Sequence, residues 1–138
     1  MTEQHYEILI VGGGAAGISA AARLTKDRPA GSIALIEPSA EHYYQSQWSL
    51  VGAGIFPKEV SQKDTAMLIP KDCDWIRGSV TSFDPEKSKL STKQKGVFSY
   101  EYLIITAGLQ ASWTDIKGLS RNLGKKGICS NYSYKSVE

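Results

Sequence analysis

Three runs of consecutive aliphatic residues punctuate an otherwise mixed chain. Residues 7–11 read Glu-Ile-Leu-Ile-Val, residues 33–36 Ile-Ala-Leu-Ile, and residues 102–106 Tyr-Leu-Ile-Ile-Thr. Apolar runs without alternation mark strands covered on both faces, as in a parallel sheet. Between the first two, Ile18, Ala21, Ala22 and Leu24 recur at helical spacing, which predicts a helix over 15–28 ended by Pro29. Strand, helix and strand make a βαβ unit. Over 39–70 aromatics and glycines crowd together and periodicity fades, leaving only a short helical turn predicted over 48–54. Residues 74–83, with Trp75, Ile76 and Val80, predict one strand. Residues 89–92 and 97–100 predict two short antiparallel strands joined at Lys95-Gly96. From Gly118 onward the pattern is mixed, without repeats or low complexity.

What joins the first strand to the helix is Gly12-Gly13-Gly14-Ala15-Ala16-Gly17, which fits G-x-G-x-x-G. Gly12 permits a tight turn out of the strand, Gly14 lets a pyrophosphate approach the backbone, and Gly17 lets the helix pack on the sheet. The helix N-terminus then offers N–H groups and partial positive charge to the phosphates. Glu37 closes the second strand, where a carboxylate accepts hydrogen bonds from ribose hydroxyls and repels a 2′-phosphate, disfavouring NADP. No Gly-Lys-Ser/Thr follows, which excludes a P-loop, and a loop that opens a helix is not a kinase glycine loop. The spacing therefore predicts an α/β, Rossmann-like domain that binds the ADP half of a dinucleotide.

Composition narrows the class little. The chain has 138 residues, 41% hydrophobic and 22% charged, ordinary for a globular protein with one core. A net charge of +2 gives no reason to expect a nucleic-acid partner, and Lys125-Lys126 reads as a solvated loop. No apolar run is long enough to span a bilayer, and the first residues lack a secretory pattern, so a cytoplasmic chain is expected. Cys73 and Cys129 lie far apart without a CxxC or a histidine cluster, so neither a metal site nor a dithiol is expected. No paired carboxylates or Ser-His-Asp arrangement suggests a hydrolase. His42, in an aromatic stretch, is expected to pack or hydrogen-bond; Trp48 and Trp75 are expected in the core or at a contact between domains, and Trp113 partly exposed.

The third aliphatic run continues into Ala107-Gly108. It resembles the strand and glycine turn of two-dinucleotide-binding flavoproteins, in which antiparallel strands precede that turn as residues 74–100 do here. This moves the expected cofactor from any dinucleotide to FAD. More narrowly, His42-Tyr43-Tyr44-Gln45, Trp48-Ser49-Leu50-Val51-Gly52-Ala53-Gly54, Ile69-Pro70, Asp74-Trp75-Ile76 and Ser130-Asn131-Tyr132-Ser133 resemble the sulfide:quinone oxidoreductases, the branch with the mitochondrial enzymes above all. The likeness runs from about His5 to the last residue.

The resemblance implies a Rossmann-like FAD/NAD(P)-binding domain with a parallel sheet and a small antiparallel β-meander. It implies that Ala15 and Ala16 give backbone N–H groups to the FAD pyrophosphate, Glu37 holds the adenosine ribose, and Val80 presents its backbone to the adenine. Gln45 would sit toward the flavin, and Ala107 and Gly108 would pass along the cofactor. Such enzymes are pyridine nucleotide-disulfide oxidoreductase-like flavoproteins that oxidise sulfide at a cysteine pair, form a persulfide and pass two electrons through FAD to quinone. No second G-x-G-x-x-G, Gly-Asp segment or cysteine pair of that kind occurs here. Residues 1–138 are thus expected to be the FAD-binding, N-terminal fragment of a larger, truncated flavoprotein. It would be inactive alone, with quinone binding and peripheral attachment at the inner membrane supplied elsewhere. Self-association or poor cofactor retention is expected from an uncovered cofactor cleft. Cys129 resembles a sulfur-chemistry cysteine of some bacterial relatives, but a small buried thiol is the preferred reading. Two alternatives stand: a type II NADH dehydrogenase or ferredoxin reductase on the same scaffold, and a non-catalytic nucleotide-binding module.

Overall fold

The computed structural model describes residues 3–137. They divide into two compact units. One comprises residues up to 42 with 64–108, the other 43–63 with the residues from 109 onward.

The larger unit is built on β1 (Gln4–Val11), α1 (Ala15–Leu24), β2 (Ile33–Ile36), β5 (Cys73–Ile76), β6 (Val80–Asp84), β7 (Lys89–Thr92) and β8 (Gly96–Ile105). These strands form one sheet in the order β5-β2-β1-β8-β7-β6. The first four run parallel, with Ile8 beside Ile33 and Ile10 beside both Leu35 and Ile104. The β7 strand then pairs antiparallel with β8 on one side and β6 on the other. The aliphatic runs occupy the centre because both of their faces are covered. Ile8, Ile10, Ile33 and Leu35 pack with Ala21 and Cys73 on the α1 side. Leu9, Val11, Ala34 and Ile36 pack with Leu90, Phe98 and Tyr100 on the meander side. Hence neither strand alternates in sequence.

Four elements differ from the sequence pattern. The predicted strand over 74–83 is two strands, β5 and β6, at opposite ends of the sheet order. Arg77-Gly78-Ser79 breaks the apolar pattern between them, so one half joins the parallel ladder and the other the meander. Conversely, 97–100 and 102–106 belong to the single strand β8. Its first residues pair with β7 while Phe98 to Ile105 pair with β1. The helix stops at Leu24, before Pro29. The Thr25 hydroxyl donates back to the Ala21 carbonyl, and a single 3₁₀ turn over Thr25–Asp27 finishes the segment. Arg28 pairs with Glu7. The turn expected over 48–54 is α2 (Trp48–Gly52).

Two short strands, β3 (Glu41–Tyr43) and β4 (Gln62–Asp64), form a separate two-stranded sheet where the chain leaves and re-enters the larger unit. The smaller unit holds α2, a short helix α3 (Leu119–Asn122) and a core of Trp48, Val51 and Val137 against Tyr134. The Trp48 indole donates to the Ser61 hydroxyl. Trp48 is therefore a core residue, while Trp75 and Trp113 are half-buried. Among the described residues no helix is long and apolar enough to cross a membrane.

Candidate functional site

Parallel strands end together, and here the ends of β1, β2 and β8 meet beside the start of α1. The chain passes from β1 to β2 on one side and returns as β8 on the other, so β1 lies at the point where strand order switches direction. A crevice at such a point is where open α/β sheets take their ligands. The glycine loop occupies it.

Each loop glycine has a separate steric reason. Gly12 has φ +102°, and a Cβ there would lie 2.4 Å from the Thr106 carbonyl oxygen. A Cβ at Gly17 would lie 1.9 Å from the Gly12 carbonyl oxygen, so the first turn of α1 packs directly on the loop backbone. A Cβ at Gly13 would lie 2.6 Å from Cγ of Glu37. Gly14 differs: a Cβ there meets nothing within 4 Å. Its absence of side chain serves no internal packing and leaves the approach to the helix end clear. Gly14 is the N-cap of α1, no side chain caps that end, and its first turn holds no acidic residue. Ala15 and Ala16 are exposed. The N–H groups and dipole of a ten-residue helix thus face outward without a protein anion to satisfy them.

Glu37 stands beside this end. The Gly13 N–H donates to its Oε2 at 2.7 Å and the Ser39 N–H to its Oε1 at 2.8 Å. One bond on each oxygen fixes the carboxylate plane and leaves further acceptor capacity on both. Its backbone is tied down too, since the Glu37 N–H donates to Ile76 O and the Trp75 indole to Glu37 O. On the far side, the Thr106 N–H donates to Val11 O at 2.7 Å, and its hydroxyl lies 3.0 Å from Val11 O and 2.9 Å from Gly12 O. His42 is buried, its Nδ1 3.1 Å from Gly13 O.

Of the residues singled out in the sequence, Gly12, Gly14, Ala15, Ala16, Gly17 and Glu37 lie together at this corner. Ala107 belongs with them, since its Cα is among the atoms nearest the Cβ direction of Gly12, and Gly108 follows it, exposed, with φ +75°. Val80 begins β6, half-buried against the meander-side core. Gln45 lies in the smaller unit, exposed in a shallow cleft with Ser46, Ser49, Asn131 and Tyr132. Cys129 is also in that unit and is exposed, not the small buried thiol expected. It follows a tight turn, Gly124 to Ile128, whose own apolar residue, Ile128, is exposed. Cys73 is the buried thiol, and burial, with the Asp74 charge second, pushes it up to about 11. Gly13, His42, Ser39 and Thr106 are the loop's internal supports, and only their contacts reveal them. The glycine at the motif's x position and the aromatic surroundings of His42 are the sequence signals that point to them.

The family described as pyridine nucleotide-disulphide oxidoreductase matches residues 6–136. The chain is 48% identical over 133 residues to the mitochondrial sulfide:quinone oxidoreductase of Dictyostelium discoideum, covering 96% of this chain and 29% of that protein. It is 40% identical over 136 residues to the mitochondrial sulfide:quinone oxidoreductase of Mus musculus, covering 99% of this chain and 30% of that one. The fold is shared with the sulfide:quinone oxidoreductase of Aquifex aeolicus, with a TM-score of 0.73 at 22% identity, over 97% of this chain and 30% of that structure. The chain thus spans about three-tenths of the length of the curated relatives it matches.

Proposed function

The chain belongs to the pyridine nucleotide-disulphide oxidoreductase family, and on that premise we propose that it is the FAD-binding part of a sulfide:quinone oxidoreductase-like flavoprotein. The observation that carries the reading is the outward-facing, uncapped start of α1 at Gly14 beside a carboxylate held by Gly13 and Ser39. A dinucleotide needs both: amides for the pyrophosphate and an acceptor for the ribose hydroxyls. The donor set fits. Ala15 and Ala16 would donate N–H groups to the pyrophosphate. Glu37 would accept from the adenosine ribose and repel a 2′-phosphate. Val80 would offer its backbone to the adenine, Ala107 and Gly108 would run along the cofactor, and Gln45 would face the flavin.

When bound, FAD supplies a two-electron acceptor and donor, which no side chain can replace. What these residues contribute is binding and orientation. The α1 dipole offsets phosphate charge, the Gly14 backbone permits close contact, and Glu37 sets which ribose fits. The 48% and 40% identities to enzymes named for sulfide and quinone support those two as the small-molecule partners of the whole protein. Residues 1–138 are then the cofactor-binding domain of a two-dinucleotide-binding enzyme, and sulfide turnover is not assigned to these residues alone.

An absorption spectrum before and after desalting, with FAD added, tests the reading. Flavin bands perturbed by the protein before desalting are the expected result, with partial loss on the column because the cofactor cleft is uncovered. ADP affinity with no FAD binding at equilibrium would sink the FAD assignment and favour a nucleotide-binding module.

A further inference from the structure

We propose that His42 is a positioning residue for the glycine loop, its Nδ1–H holding the Gly13 carbonyl so that the Gly13 N–H is aimed at Glu37. The inference rests on the nucleotide-binding reading above and deepens it.

Strand β3 aims one side chain inward: His42 is 8% exposed while Glu41 and Tyr43, its neighbours, are exposed. The ring places Nδ1 3.1 Å from Gly13 O. A carbonyl oxygen only accepts, so Nδ1 carries a proton in this arrangement. Gly13 is itself buried, and its N–H donates to Glu37 Oε2 at 2.7 Å. One glycine is therefore gripped at both polar ends, by an imidazole on its oxygen and a carboxylate on its hydrogen. Three consecutive glycines are the most conformationally permissive stretch a chain can present, so such a loop needs bonds from outside to hold one geometry. Thr106 reaches the Gly12 carbonyl and His42 the Gly13 carbonyl. Removing the His42 bond lowers the fraction of loop in the binding geometry, and apparent affinity falls by that fraction. One net hydrogen bond corresponds to roughly a two- to tenfold loss of affinity.

Substitutions separate a hydrogen-bonding role from packing, with ADP as the probe. The amide nitrogen of Asn stands where Nδ1 does, whereas Phe keeps a ring and loses the donor. His42→Asn is expected to hold ADP within about twofold of the unsubstituted chain, and His42→Phe to weaken it roughly two- to tenfold. Phe binding as well as His, or Asn binding worse than Phe, would overturn the proposal and leave the nucleotide reading intact. No ADP or FAD affinity in the unsubstituted chain would defeat that reading itself. Long-range ¹H–¹⁵N NMR of the unsubstituted protein needs no variant to fold: a protonated Nδ1 on His42 is expected, and a ring protonated only at Nε2 would overturn the inference.

Discussion

At the scale of single residues, loop glycines that look alike in a motif do different work, and substitution should separate them. Gly17→Ala drives a methyl group to 1.9 Å from the Gly12 carbonyl oxygen, a backbone atom that cannot swing aside. It should cost about 2 kcal/mol or more of stability, read by denaturant unfolding. Gly14→Ala meets no atom within 4 Å, and Gly14 already has an extended backbone with φ −70°. Stability should fall by no more than about 1 kcal/mol, the range of a helix N-cap change, while ADP affinity drops clearly. Equal losses in both variants would contradict the assignment of packing to Gly17 and ligand approach to Gly14. The thiols divide the same way. Cys129 is exposed, whereas Cys73 is buried and held well above the ordinary thiol range. A disulfide reagent at pH 8 should titrate one thiol quickly and the second only after unfolding.

At the scale of elements, β8 joins the parallel and the antiparallel parts of one sheet, and Thr106 closes its end. The Thr106 side chain and amide fasten the β8 terminus to Val11 and Gly12, where β1 becomes the loop. Thr106→Val keeps the shape but removes the hydroxyl donor. A loss of about 1 kcal/mol is expected, with weaker nucleotide binding because the Gly12 carbonyl loses its tether. Unchanged thermal unfolding and unchanged ADP affinity together would show that the backbone bond alone suffices. Past Tyr100, β8 is paired with β1 but not with β7. Tyr102 and Ile105 on that stretch are 61% and 59% exposed.

At the scale of the whole molecule, the core carries an alkaline limit. Tyr6 lies under the meander and donates its hydroxyl to Asp74 at 3.0 Å. Desolvation first, and the Asp74 hydrogen bond and charge second, push it up to about 12. Both Tyr6 and Cys73 are neutral when protonated, and both hold their protons more tightly folded than unfolded. Their contribution is therefore fully present below the ordinary values, about 8.5 for a thiol and about 10 for a phenol. It is lost as pH rises, through about 11 for Cys73 and about 12 for Tyr6. Urea midpoints should hold steady near neutrality and fall across this window. Tyr6→Phe should flatten the upper part of the fall; an equally steep fall in that variant would remove Tyr6 as a cause.

The sequence by itself determined the elements whose signal is local. Residues 33–36 read as a buried strand because four aliphatics in succession leave no solvent face, and they form one. The run after the loop read as a helix because its apolar residues recur every three or four positions. The G-x-G-x-x-G loop and Glu37 were legible because strand, turn and acid each have their own residue types. Tertiary structure decided what depends on partners distant in the chain. Whether 74–83 is one strand or two depended on which strands could pair with each half, and whether 97–106 is two or one on β1 pairing with it from Phe98 to Ile105. Cys129 was misplaced for the same reason, and the partner of His42, expected to pack or hydrogen-bond, was hidden by it. A side chain's burial is set by what the fold lays over it, and the contact between His42 and Gly13 exists only because β3 comes back beside the end of β1.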